Sequence, residues 1–139
     1  MAYWLIKSEP DEWSWDQQVG RGAKGEAWSG IRNHQARNNL QAMKKGDRCL
    51  FYHTGGEKRV VGIADVAREA YPDPTTDDAR WVCVDVKAVE PLPAPVTLEQ
   101  IRAAPALKDM VLVKNSRLSV QPVTAAEWAL VRKMGGLKS

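Results

Sequence analysis

With 139 residues, 44% of them hydrophobic and 27% charged, the chain has the make-up of one globular domain, residues 1–139, with enough apolar mass for a core. A net charge of only +3 excludes a polycationic nucleic-acid coat, and no apolar run approaches the roughly 20 residues that span a bilayer. His34 and His53 lack Cys or acidic partners at ligand spacing, so neither a metal nor another cofactor is expected.

In chain order, Tyr3 to Lys7 is predicted as a first strand, ended by Ser8-Glu9-Pro10. Trp13 to Val19 fits a short helix with Asp11 as its cap, and Gly20 to Gly25 a loop. A helix is expected from Asn33 to Met43, closed by Lys44-Lys45-Gly46. Arg48 to His53 and Arg59 to Val66 read as strands joined by the hairpin signal Thr54-Gly55-Gly56-Glu57. After an Asp73 to Asp78 loop, Trp81 to Val89 alternates like another strand. Pro91, Pro93 and Pro95 then make a stiff connector to a helix over Leu98 to Ala103. Met110 to Val113 and Leu118 to Gln121 read as short strands, and Thr124-Ala125-Ala126-Glu127 is a capping box opening the last helix. Hairpin signals favour an α+β fold with a curved, antiparallel or mixed sheet over a doubly wound one.

The stretch from Trp28 to Leu40 carries the strongest functional signal. Ala36, Leu40 and Met43 form an apolar stripe at helical spacing, and one turn earlier that stripe meets Arg32 and Asn33. Polar groups on such a line are costly unless partnered. They therefore wall a polar, aromatic-lined pocket next to Trp28, or Ser29 caps the helix, Arg32 pairs with a structural carboxylate and Trp28 is core. Six Trp beside a single Phe favour recognition of something flat, with Trp81 and Trp128 assigned to core packing. Residues 1–60 hold ten Lys/Arg against seven Asp/Glu, and 61–139 ten against ten, so the basic excess lies in the half with the pocket. Cys49 and Cys83 read as buried free thiols of a reducing compartment, and the absence of a signal-peptide pattern points to a cytoplasmic protein, nuclear in a eukaryote.

Two phosphate-loop look-alikes fail on context. Gly20-Arg21-Gly22-Ala23-Lys24-Gly25 lacks the preceding strand of a dinucleotide fingerprint, and Gly55-Gly56-Glu57-Lys58 lacks the Walker spacing. No nucleophile, base and orienting group assemble from sequence spacing.

The strings Trp4-Leu5-Ile6-Lys7-Ser8-Glu9-Pro10, Trp28-Ser29-Gly30-Ile31-Arg32-Asn33 and Phe51-Tyr52-His53 resemble the EVE domain family. So do Glu69-Ala70-Tyr71-Pro72-Asp73-Pro74 and Arg117-Leu118-Ser119-Val120-Gln121-Pro122-Val123, and the likeness runs from residue 3 to about residue 131. The resemblance implies a PUA-like fold, a curved sheet or pseudo-barrel with flanking helices, and a non-catalytic reader of a modified nucleobase in DNA or RNA. More distantly it extends to YTH and ASCH domains. Relative to the family, Thr75 to Ala79 is a shortened loop, and Thr54 stands where Ser commonly follows the Tyr-His pair.

Residues and resemblance together point to one site. An extruded base stacks on Trp28 with Tyr52 as second wall. Ser8, Ser29 and Asn33 bond the base edge, Glu9 accepts from an exocyclic amine, and Lys7 and Arg32 hold phosphate or carbonyl oxygen while His53 shapes the rim. Arg37, Lys45, Arg117 and Ser119 are the expected backbone contacts. The expected partners are a nucleic acid carrying the modified base and a nuclease or modification enzyme, with a monomeric protein and no membrane. Two alternatives stand beside this. One is an RNA-binding accessory to RNA modification; the other is an ASCH-like amidohydrolase acting on modified nucleosides, with Lys7 and Glu9 as its catalytic pair.

Overall fold

Alternation along Tyr3–Ser8 sends Trp4 and Ile6 into one apolar cluster and Leu5 into another. The same alternation in Arg48–His53 separates Cys49 and Phe51 from Leu50 and Tyr52. The computed structural model, which describes residues 1–137, therefore has a core on both faces of one sheet. Its strands are β1 (Tyr3–Ser8), β2 (Glu26–Ala27), β3 (Arg48–His53), β4 (Arg59–Pro72), β5 (Val82–Thr97) and β6 (Val120–Val123), in the order β2-β5-β4-β3-β1-β6. β1 runs parallel to β3, with Leu5 opposite Leu50, and antiparallel to β6; the other pairs are antiparallel, and the sheet is left open.

Helices cover both faces. α1 (Trp15–Gly20) and α2 (His34–Ala42) contribute Trp15, Ala36 and Leu40 to the cluster around Phe51. α3 (Leu98–Ala103), α4 (Val111–Lys114) and α5 (Ala125–Met134) contribute Ile101, Leu112, Trp128 and Val131 to the cluster around Leu50. The Trp15 indole lies so close to β4 that a side chain on Gly62 would start 2.5 Å from its ring, which is why that position carries only hydrogen.

The long β4–β5 hairpin shifts register at several points between Val60 and Tyr71, and each shift bends and twists the pair. The bending matters for the site. In a flat sheet four strand spacings would separate β1 from β2, roughly 19 Å. The curved sheet instead brings the C-terminal end of β1 and the segment after β2 to one cleft.

Several expectations need correction. α1 begins two residues later than expected, because Ser14 and Gln17 form a full capping box and displace Asp11 as cap. Pro91, Pro93 and Pro95 lie inside β5 rather than in a connector. β2 pairs β5 only at Asp85 and Val86, so from Lys87 on β5 has no strand on one side, an edge where proline is tolerated, and Ala94 there donates to the Gly135 carbonyl at 3.0 Å. Met110 to Val113 is not a strand; its run is too short for period to decide, and Val111–Lys114 forms a helical turn that buries Leu112. The last strand begins at Val120, so Arg117 and Ser119 lie in the turn before it. Trp81 is not core: it is half-buried, with the His34 ring 4.9 Å away and the Arg32 and Arg80 guanidinium groups within 5.9 Å of its ring centroid.

Candidate nucleic-acid interface

The end of β1 is anchored before it reaches the cleft. The Thr54 N–H donates to the Ser8 carbonyl at 2.9 Å, the Trp13 N–H donates to the Glu9 carbonyl at 2.8 Å, and the Ser8 hydroxyl donates to the Trp13 carbonyl. These bonds fold residues 9–13 into a tight turn that sets Trp13 beside the strand end. Opposite, the Trp28 N–H donates to the Val84 carbonyl at 2.7 Å, and its indole meets Phe51 edge-to-face at 5.5 Å. Between the two walls lies a cleft of about 310 Å³ lined by Lys7, Ser8, Glu9, Trp13, Trp28 and Ser29, with Glu12, Glu26, Ala27 and Ile31 completing it.

Asp73, from the Pro72-Asp73-Pro74 element, holds the rim. Its Oδ2 accepts from the Gly30 N–H at 2.8 Å and from Arg32 Nη1 at 3.1 Å. Its Oδ1 accepts from the Thr75 N–H at 2.7 Å and from the Thr75 hydroxyl at 2.6 Å. Burial by itself pushes this carboxyl up; the bonds from Thr75, Gly30 and Arg32 outweigh burial and bring it down to about 2. Gly30, at φ +81°, takes the left-handed turn that points its N–H at Asp73.

The expected site residues separate into groups. Lys7, Ser8, Glu9, Trp28 and Ser29 meet around the cleft. Trp28 is also packed, at 7% exposure, so it is wall and core at once. Arg32 is engaged within the protein: it bonds Asp73 and, through Nη2, the Thr75 hydroxyl at 3.0 Å. Asn33 is the N-cap of α2, its side-chain oxygen accepting from the Ala36 N–H at 2.9 Å, so its polar head serves the helix start. The cost of polar groups on the apolar line is thus met by caps and ion pairs.

Tyr52 is not the second wall. Strand alternation turns Phe51 toward Trp28 and Tyr52 to the opposite face, where it lines a different cleft. His53 is no rim residue. It is 6% exposed, its Nε2 accepts from the Trp15 N–H at 3.0 Å, and its Nδ1 faces Glu57 Oε1 at 2.9 Å. Those partners fix the neutral tautomer with the proton on Nδ1. Lys45 follows α2 at the N-terminal end of β3, while the cleft lies at the C-terminal end of parallel β1, so Lys45 is a strand length away, roughly 17 Å. Arg37 sits on α2, bonded to Asn38 and to the Arg80 carbonyl. Arg117 is exposed in the turn whose Ser119 carbonyl accepts from the Lys7 N–H at 3.0 Å, so that turn flanks the strand end.

Trp13 is the wall that sequence reasoning missed; a second indole four residues after Glu9, just beyond the Pro10 turn, was its signal. It is half-buried, and its Nε1 donates to Gln18 Oε1 at 2.9 Å. The expected Lys7–Glu9 pair does not form. Glu9 lies over the hairpin tip, its Oε2 at 3.5 Å from the Thr54 hydroxyl and 2.8 Å from where a Gly55 side chain would begin. The Lys7 ammonium instead donates to the Ser116 carbonyl and stands 5.8 Å from the Tyr52 ring centroid, and burial lowers its pKa.

Beyond Lys7 lies the second cleft, of about 270 Å³, lined by Lys7, Tyr52, Thr54, Lys58, Arg102 and Ser116 among others. Both thiols are buried, and burial, then the charges of Asp47 and Asp65, push Cys49 far up, so it is unreactive.

Thymocyte nuclear protein 1 from Mus musculus is 33% identical to the chain, over 93% of it and 71% of that protein. Among solved structures, Rpa0253 from Rhodopseudomonas palustris is 60% identical with a TM-score of 0.96, covering 100% of the chain and 96% of that protein. The human THYN1 protein, solved in complex with 5-methylcytosine containing DNA, is 29% identical with a TM-score of 0.88, and each chain covers 100% of the other. The model of the EVE domain matches residues 2–134, and the chain belongs to that family, with its PUA-like α+β fold.

Proposed function

We propose that the cleft between Trp13 and Trp28 receives a modified base extruded from DNA and holds it without chemical change. The observation that carries this reading is two indoles, Trp13 and Trp28, lining one small polar cleft in a protein similar to one solved with 5-methylcytosine containing DNA. At about 310 Å³ the cleft lies at the small end of the roughly 300–1,000 Å³ range of ligand sites, in keeping with one base rather than a longer segment. Stacking supplies affinity for any base. Selectivity comes from the cleft's carboxylates Glu9 and Glu12, which accept from an exocyclic amine, and from Ser29, while Glu26 is paired with Arg21 at 3.3 Å. Arg37 and Arg117 contact phosphates and carry no base information. Arg32 and Asn33 are positioning residues that keep the Ser29–Asn33 segment in place. The separation of Lys7 from Glu9 supports a binding role over a hydrolytic one, since neither activates the other.

The test is a panel of otherwise identical oligonucleotides, each with one modified base, measured by fluorescence anisotropy. One modification, with 5-methylcytosine the first to try, is expected to bind at least tenfold tighter than the unmodified strand. Equal affinity for modified, unmodified and abasic strands would overturn the proposal, and chromatographic detection of an altered base would show an enzyme instead.

A further inference from the structure

The second cleft differs from its neighbours in charge. Lys7, Lys58 and Arg102 line it and, among the described residues, no carboxylate is part of its lining, although Glu9, which belongs to the base cleft with Glu12 and Glu26, reaches Thr54 and Gly55 at its rim. Hydroxyls of Tyr52 and Thr54 complete its polar wall, and Ser116 lies at its edge. The three cations come from three elements fixed to one another. Lys7 is the penultimate residue of β1; Lys58, in the left-handed conformation at φ +48°, closes the β3–β4 hairpin; Arg102 stands in the last turn of α3. The Leu98 N–H, in α3, donates to the Lys58 carbonyl at 2.8 Å, so hairpin and helix hold their cations in register. Arg102 acts on the Tyr52 hydroxyl electrostatically, opposing the upward push of burial on that phenol. The Lys7 ammonium gives one proton to the Ser116 carbonyl and keeps two to donate. Glu57 and Glu99 line an adjoining hollow shared with Lys58 and Arg102, and Glu57 is already engaged by His53 Nδ1 at 2.9 Å and Arg59 Nε at 3.1 Å.

We propose that this second cleft is a phosphate-binding site, taking a phosphate of the same nucleic acid whose base occupies the first cleft. Three cations lining one cleft beside the Tyr52 hydroxyl, with no carboxylate in its lining, match a phosphoryl group and disfavour a neutral or cationic ligand. Lys7 lines both clefts, so a base on one side and its phosphate on the other share one strand end. The phosphate is an internal phosphodiester or a terminal monoester, and this placement beside a base rests on the function proposed above.

Two experiments decide it, each on the full chain. In the first, inorganic phosphate is titrated into ¹⁵N-labelled protein and compared with chloride at matched ionic strength. Saturable shifts at Lys58, Arg102 and Ser116 are expected, lost in Arg102→Gln; shifts identical to those in chloride would overturn the site. In the second, one neutral methylphosphonate is walked through an oligonucleotide with a single 5-methylcytosine. Neutralising one linkage beside the modified base is expected to cost wild type about tenfold and Arg102→Gln almost nothing; a 5′-monophosphate that restores affinity instead identifies a terminal phosphate. Preference for the modified base with no effect at any linkage would sink the phosphate site and leave base reading intact. Saturable phosphate binding with no base preference would do the reverse. Arg102 is exposed, so Arg102→Gln is expected to melt like wild type.

Discussion

Asp73→Asn is the most informative single substitution, because it keeps shape and removes only charge and acceptor capacity. Each Asp73 oxygen accepts two hydrogen bonds, from Thr75 at Oδ1 and from Gly30 and Arg32 at Oδ2. An amide has one oxygen, so its NH2 must face donors in either orientation: the Gly30 N–H and Arg32 in one, and in the other the Thr75 N–H, where the Thr75 hydroxyl can turn to accept. The native carboxyl lies at about 2 against an ordinary value of 3.8. That difference corresponds to about 2 kcal/mol of stability from Asp73 ionisation, with part of Arg32's share screened because its side chain is 40% exposed. The sign follows from the lowered value. The contribution is complete above about pH 4, where the unfolded chain's Asp is also ionised, and is lost as pH falls toward 2. Urea unfolding from pH 7 to pH 2 is the assay. Wild type is expected to be about 2 kcal/mol or more stabler than the variant at pH 7 and to lose that advantage between pH 4 and 2. A constant difference across that range would refute the role of the ionised carboxylate. So would a pH 7 difference under about 0.5 kcal/mol.

Trp13→Ala is expected to weaken binding of the preferred modified strand by roughly tenfold or more, the worth of one base–aromatic stack, and to lower stability by about 1–3 kcal/mol because buried Gln18 loses its partner; unchanged anisotropy of the folded variant would remove Trp13 from the site. Trp28→Ala is expected to lower stability by about 3–5 kcal/mol in chemical denaturation, since the indole packs on Phe51, so loss of binding there is not diagnostic. Gly62→Ala is expected to lower stability by about 1–3 kcal/mol, because the new methyl would start 2.5 Å from the Trp15 ring. Lys45→Ala is expected to leave affinity within twofold, while Arg37→Ala weakens modified and unmodified strands alike, read at two salt concentrations.

What the sequence made legible was local. The hairpin at Thr54-Gly55-Gly56-Glu57 and the α5 capping box are written in caps, glycines and periodicity and appear where expected, and α2 lies within a residue of its expected ends, although an extended Met43 rather than Gly46 closes it. Lys7 to Glu9 and Trp28 to Ser29 also meet as expected, because both sit at element ends. The strand status of Pro91 to Pro95 depends on which edge of β5 is unpaired, a fact of sheet order that no local pattern carries. Tyr52 was misassigned for a related reason: alternation says that Phe51 and Tyr52 face opposite ways, and only packing says which one meets Trp28. Arg32 and Asn33 show the limit of reading polar residues on an apolar line. Their partners, Asp73 and the Ala36 N–H, absorb them into scaffolding.

The two walls of the base cleft have separate foundations. Trp13 is tied to the ends of β1 and β3, whereas Trp28 is tied to β5 and through Gly30 to Asp73 at the end of β4. The gap between them is therefore set by how sharply the strands between β1 and β2 curl, and the register shifts of the β4–β5 hairpin govern that curl. Moving one shift by a residue would widen or narrow the gap while leaving every side chain in the cleft unchanged. On the function proposed above, discrimination between a bare base and a bulkier modified one would be open to tuning from a hairpin outside the cleft's lining, and an alignment of cleft residues alone would miss it.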